Sequence, residues 1–266
     1  MTSADRPLAL VTGASSGIGF ELAKQFAENG FDLIIAAEDD AIATAASELA
    51  ASGAQVDHEQ VDLATPEGVE RLQRRITSAG RPLDAAALNA GVGAGGAFAT
   101  DTELADELRL IDLNVRSTVH LAKHIVKAMV ARGEGRILFT SSIASTMPGT
   151  YQAVYNASKS FVQSFALALR EELSDTGVTV TSLMPGPTET EFFERADMLD
   201  TRIGAGDKDD PADVAKDGFE ALMAGKDRAV SASASTKLQG RGSRFMPDSV
   251  KAKMHGRMAE PGAKKD

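Results

Sequence analysis

The chain has 266 residues, 43% hydrophobic and 25% charged, with a formal net charge of −10 at pH 7. This balance argues against disorder except at the ends and against nucleic-acid binding by general electrostatic attraction. With no cysteine, disulfides, thiolate metal sites and thiol nucleophiles are excluded.

The opening "MTSADRPLAL" shows no basic segment followed by an apolar stretch of signal-peptide length. Apolar runs such as "LIIAA" are too short to cross a bilayer, so a cytoplasmic protein without a membrane partner is expected. Residues 7–12, "PLALVT", read as a buried strand, and 17–29 as a helix ended by Gly30. A second strand follows at 31–37 and an Ala-rich helix at 40–52, stopped by Gly53. A third strand lies within 54–63, and Pro66 suits the first turn of a third helix. The fourth strand is expected at 84–90, one long helical stretch at 101–131, and a fifth strand at 135–142. Residues 151–174 read as another long helix and 178–185 as a sixth strand. Pro211 opens a last helix before a weak seventh strand at 227–233.

Strand–helix alternation with strands apolar on both faces predicts an α/β fold. The architecture is a single-domain, Rossmann-type, doubly wound parallel sheet of about seven strands, with ligands beyond the strands' carboxyl ends. The domain spans 1–236 and includes a substrate lid at about 188–210. From Lys237 the composition changes to eight Lys/Arg against three Asp/Glu. Residues 237–266 are read as a basic C-terminal extension with a short helix near 248–258. It is either a surface appendage or a cover for the substrate pocket or a subunit contact.

Several stretches carry chemistry. "VTGASSGIGF" places Gly13, Gly17 and Gly19 between a strand and a helix N-terminus, where free backbone N–H groups and the helix dipole favour an anion. Gly13 permits the strand exit, Gly17 a close approach of pyrophosphate, and Gly19 tight helix–sheet packing. Thr12, Ser15 and Ser16 add hydroxyls, and a glycine-rich turn without a ligand is the competing reading. "VYNASKS" places Tyr155 and Lys159 one helical turn apart on one face. A cation there is expected to move the phenol below its ordinary value near ~10, toward general acid–base work. "HLAKH" places His120 and His124 on one helical face, but two histidines rarely close a metal site, so they are read as surface or packing residues and no metal is expected.

Thr12-Gly13-x-x-x-Gly17-Ile18-Gly19 resembles the cofactor loop of the short-chain dehydrogenase/reductase family in its shorter form. The resemblance extends in order through Asn89-Ala90-Gly91, Asn114, Ser142, Tyr155 with Lys159, and Pro185-Gly186 with Thr188 and Thr190. It implies hydride transfer between a nicotinamide cofactor and a ketone or secondary alcohol. It implies that Tyr155 exchanges the proton with the substrate oxygen, Ser142 hydrogen-bonds that oxygen, and Lys159 also reaches the nicotinamide ribose. Asn114 would hold the main chain and a water leading to solvent. Asp62, with Leu63 beside it, resembles the residue at the adenine amino group. A non-catalytic nucleotide sensor or scaffold on the same fold is the alternative.

The second strand ends in Ala36, Ala37, Glu38, Asp39 and Asp40, and Ser16 stands where many NADP users carry a cation. Carboxylates without a nearby cation would repel a 2′-phosphate, which favours NAD. Glu38 is the candidate ribose partner, since Ala37 holds the place of the usual Asp, while Asp39 and Asp40 also suit a helix cap. Residues 92–100, 143–152 and 188–210 are expected to face the substrate. Met147, Tyr151, Phe192, Phe193 and Met198 would either form an apolar pocket wall or pack the lid onto the body. By resemblance the chain forms a homodimer or homotetramer through its two long helical stretches.

Overall fold

The computed structural model describes residues 6–231 and 246–263. Seven strands form one sheet in the order β3-β2-β1-β4-β5-β6-β7. They are β1 (Leu8–Thr12), β2 (Asp32–Ala37), β3 (Val56–Gln60), β4 (Ala85–Leu88), β5 (Gly135–Thr140), β6 (Val178–Pro185) and β7 (Arg228–Ser231). All pairings are parallel, with Val11 in register with Ile35 on one side and Ala87 on the other. Residues 232 and 233 of the expected seventh strand lie outside the described residues.

The period-two alternation of strand side chains divides the core into two layers. Leu8, Leu10, Ile34, Ala86, Ile137, Phe139 and Val180 face one layer. They pack against α3 (Pro66–Ser78), α5 (Thr118–Arg132) and α6 (Ala153–Glu172) through Leu72, Ile125, Met129 and Val162. Ala9, Val11, Leu33, Ile35, Ala87 and Leu138 face the other layer. There they meet α1 (Gly17–Glu28), α2 (Ala41–Ala50) and α9 (Pro211–Met223), with Phe26 edge-on to Phe219. Helices therefore cover both faces, and connections leave β1 in opposite directions. The strand order reverses between β1 and β4, which opens a crevice at their carboxyl ends.

Two expectations are corrected. The helical stretch expected at 101–131 is two helices, α4 (Leu104–Ile111) and α5, joined by a π-helical turn over Asp112–Ser117. The edge strand β3 is not apolar on both faces: Asp57 and Glu59 reach out to Arg75 and Arg71 of α3. An edge strand has a neighbour on only one side, and charged side chains there deter pairing with another chain.

Beyond β6 lie two short helices, α7 (Phe192–Arg195) and α8 (Arg202–Ala205), within the expected lid. The C-terminal helix α10 (Asp248–Ala259) folds back on them. Ala259 joins a small apolar cluster with Phe193, Ala196 and Met198. His255 is 3% exposed, and its Nδ1 lies 2.9 Å from the Thr150 carbonyl. The described part of the extension thus packs on the two short helices of the expected lid, and residues 237–245 and 264–266 lie outside the described residues.

Candidate active site

The glycine loop leaves β1 at the crevice. Gly13 adopts φ 67°, the left-handed region that glycine enters without steric cost, and its N–H binds the Ala36 carbonyl at 2.7 Å. A Cβ on Gly19 would run into the Gly13 carbonyl, so the first turn of α1 can close on the loop only with glycine there. Ser16 caps α1 in extended geometry without a side-chain hydrogen bond. The first-turn N–H groups are therefore not capped by that side chain, which suits an anion. Gly17 faces Thr190 of the lid, and Ile18 packs half-buried on the α1 side of the core.

Behind the loop, the Thr12 hydroxyl accepts the backbone N–H groups of Asn89 and Ala90, both at 3.0 Å. The Asn89 amide donates to the Thr12 carbonyl and accepts from Thr140. Asn89 thereby ties the ends of β1, β4 and β5 together, and Gly91 follows against Asn114 and Lys159. Sequence reasoning put Asn89, Ala90 and Gly91 at the cofactor; the structure puts them at the crevice floor.

At the end of β2, Glu38 meets a residue that its own segment did not foretell. Arg109 of α4 spans Glu38 (2.8 Å) and Asp62 (3.0 Å). The expectation of carboxylates without a cation is thus corrected: a helix 71 positions away supplies one. Hydrogen bonding to Asp62, then the charge of Glu38, holds the Arg109 guanidinium above its ordinary value. Asp62 also accepts the Ala64 N–H, and Leu63 is buried in the core. Asp39 accepts from Ser15 at 2.9 Å and lies 3.9 Å from Arg195 of the lid, so it links the loop to the lid. Asp40 stands at the N-terminus of α2 without a side-chain cap.

Tyr155 and Lys159 project from the first two turns of α6, both buried. Lys159 Nζ donates to the Thr140 carbonyl at 3.0 Å and lies 5.9 Å from the centre of the Tyr155 ring. Burial pulls the Lys159 ammonium down to about 8. Burial likewise pushes the Tyr155 phenol up to about 12, against the lowering effect of a hydrogen bond with Ser142. The expected lowering of the phenol is corrected, because desolvation of the phenolate outweighs that bond. Ser142, expected at the end of the fifth strand, lies two residues past β5 and caps the 3-10 turn Ile143–Thr146 by accepting the Ala144 N–H.

Asn114 sits in the π-helical turn and is 1% exposed. Its side chain clasps the main chain of Val92 in both directions, accepting the N–H and donating to the carbonyl at 2.9 Å each. A third bond, at 3.1 Å, reaches Ser158 on α6. One amide therefore fixes the loop after β4 to the helix that carries Tyr155 and Lys159. π turns occur frequently at functional sites because the extra residue re-aims a side chain.

The segment after β6, where the lid is expected, lies against this space. Pro185 ends β6, and the N–H of Gly186 just beyond it binds the Ser231 carbonyl. Thr188 turns back to the Gly186 carbonyl, and Thr190 accepts the Phe192 N–H. The Phe192 ring lies 5.2 Å from that of Tyr155 and seats over Gly93. Phe193 and Met198 are buried in the lid's own cluster, so these two pack the lid, and Phe192 faces the tyrosine. The Gly96 N–H binds the carbonyl of Tyr151, whose left-handed φ of 65° turns the chain into α6.

His120 and His124 acquire a third partner, Glu70 of α3. Arg109, Phe192 as a cover for Tyr155, and Glu70 escaped sequence reasoning. Each meets its partner across tens of residues, with no local motif to announce it.

The sequence matches the short chain dehydrogenase family over residues 7–198. It is 33% identical over 186 residues to sulfoacetaldehyde reductase 2 of Chromohalobacter salexigens, covering 70% of this chain and 74% of that protein. It is 36% identical over 189 residues to the 1-deoxy-11-beta-hydroxypentalenate dehydrogenase of Streptomyces exfoliatus, covering 70% and 69%. Among solved structures, a short-chain dehydrogenase from Sphingobium yanoikuyae in complex with NADPH is similar, with TM-score 0.79 at 27% identity. That alignment covers 96% of this chain and 95% of the other. A short-chain dehydrogenase/reductase from Burkholderia phymatum in complex with NAD also has TM-score 0.79, at 25% identity over 91% and 94% of the two chains.

Proposed function

This chain belongs to the short-chain dehydrogenase/reductase family, and on that premise we propose a reductase of ketones with an apolar portion, in which Tyr155 delivers the proton. The chain is an NAD(P)-dependent oxidoreductase by family. The observation that carries the finer reading is the burial of Tyr155 beside Ser142 and Lys159 under Phe192. The residues present fit a nicotinamide cofactor: the first turn of α1 has no side-chain cap at Ser16, and the buried Lys159 ammonium lies at the crevice floor. When bound, that cofactor supplies the hydride.

This chain's own residues handle the proton and the orientation. A phenol pushed up to about 12 stays protonated at neutral pH and is a donor ready for a carbonyl oxygen. Ser142 and Tyr155 together hold that oxygen, so it gains hydrogen bonds as negative charge builds on it. Lys159, fixed to the Thr140 carbonyl, brings a positive charge to the same helix face. Asn114 positions Lys159's helix relative to the loop after β4 through Ser158 and Val92. Phe192 supplies an apolar wall and excludes water.

The cofactor in this reading is NAD. Arg109 is already engaged by Glu38 and Asp62, and Arg195 by Glu191 and Asp39, so these four carboxylates outnumber the two cations and would disfavour a 2′-phosphate beside them. The reading also includes a homodimer or homotetramer, supported by an exposed apolar stripe on α4 (Leu104, Leu108 and Ile111) with Phe161 on α6. Fluorescence titration with NADH and NADPH, followed by a carbonyl and alcohol panel read at the nicotinamide absorbance, tests the function. Tighter NADH binding and turnover of apolar ketones are expected. Binding of neither nucleotide overturns the enzyme reading, and preference for NADPH overturns the cofactor assignment.

A further inference from the structure

Among the described residues, Glu70, His120 and His124 are the one group of three imidazole and carboxylate side chains close enough to share an ion. One ligand atom from each lies within 4.8 Å of the other two. The group stands apart from the crevice, between α3 and α5. His120 and His124 are one helical turn apart, with ring centres 5.4 Å apart. Both Nε2 atoms point at the same oxygen, Glu70 Oε1, at 2.8 and 3.2 Å.

We propose that Glu70, His120 and His124 bind a divalent transition-metal ion of the zinc type, which clamps α3 to α5. The chemistry of the donor set is specific: two neutral imidazole nitrogens and one carboxylate suit zinc, whereas magnesium and calcium prefer all-oxygen shells. The geometry is near that required. Tetrahedral zinc with bonds of about 2.0–2.1 Å separates its ligand atoms by roughly 3.3 Å. The Nε2–Oε1 separations of 2.8 and 3.2 Å need to open by about half an ångström at most. The side chains are between 29% and 44% exposed, so an ion can reach them and a water can complete the shell.

Both imidazoles already converge on one oxygen of Glu70. The ion replaces protons in bonds that already exist, and little side-chain ordering is left to do. α5 begins directly after the π-helical turn that holds Asn114, so the clamp steadies the helix behind that turn without entering the reaction.

Full-length protein treated with a chelator is titrated with Zn2+ by calorimetry, and with Co2+ by visible absorption, which reports the coordination geometry. One equivalent binding in the micromolar range or tighter, with a d–d spectrum of four-coordinate cobalt and a raised melting temperature, is expected. Glu70→Gln and His124→Ala should each weaken binding at least about tenfold while leaving NADH binding unchanged. His120→Gln makes the same test if His124→Ala fails to fold. No saturable binding overturns the proposal, as does binding that the variants leave unaltered or that equimolar Mg2+ displaces.

Discussion

Tyr155 holds its proton because its surroundings cannot solvate a phenolate, and Lys159 is an easily neutralised base for the same reason. Two consequences follow at the residue scale. Tyr155→Phe removes the proton donor without emptying the crevice, so kcat should fall by about 10²–10⁴-fold with NADH affinity preserved. Stopped assays beside a fluorescence titration separate the two; retained turnover would refute the proton transfer. In the oxidation direction the phenol must first lose its proton, so alcohol oxidation should climb with pH through the alkaline range below about 12. The second site at this scale is Arg109, whose charge is shared between Glu38 and Asp62. Glu38→Gln frees half of that pairing and should raise NADPH affinity relative to NADH by about tenfold, measured as the ratio of dissociation constants.

At the scale of elements, the π-helical turn and α10 do what uninterrupted helices could not. An unbroken helix across 101–131 would not carry the π turn that directs Asn114 to Val92 and Ser158. α10 presses Ala259 into the lid cluster, and Thr150 and His255 fasten it with reciprocal bonds to main-chain carbonyls. Burial lowers the His255 imidazole from its ordinary value, partly opposed by the bond to Thr150. The docked form therefore binds fewer protons than the undocked form below about pH 6.5, so docking weakens as pH falls through that region and is complete above it. Hydrogen exchange should show α10 and the lid losing protection together between pH 7 and pH 5. Unchanged protection of α10 across that range would show that His255 does not govern docking.

For the whole molecule, two helical layers around a parallel sheet leave the outer face of α4 and α6 partly apolar. Leu104 is 68% exposed and Leu108 50%, on one side of α4. A second copy covering this stripe would bury it, so light scattering should find an oligomer. Leu108→Glu should shift it toward monomer at equal concentration; a monomeric wild type would refute the assembly. Among the described residues no helix is long and apolar enough to cross a membrane.

What could be read from the sequence is what depends on neighbours along the chain. Strands with residues pointing alternately to two layers, helices ended by Gly30 and Gly53, the glycine loop and the Tyr155–Lys159 face are all patterns of a few residues, so sequence alone determined the fold class and the order of the motifs. The π-helical turn left no clear signal, because its helical periodicity resembles that of the helices beside it. Arg109 against Glu38 and Asp62, Phe192 over Tyr155, Glu70 between two histidines and α10 on the lid were decided only in three dimensions. Each depends on which elements the sheet order brings together, and pairings across 37 (Tyr155 to Phe192) to 105 positions (Thr150 to His255) leave no periodicity to read. Charge and burial followed the same division: the presence of Tyr155 and Lys159 was written in the sequence, while their desolvation, which sets the direction in which each titrates, belongs to the packed structure.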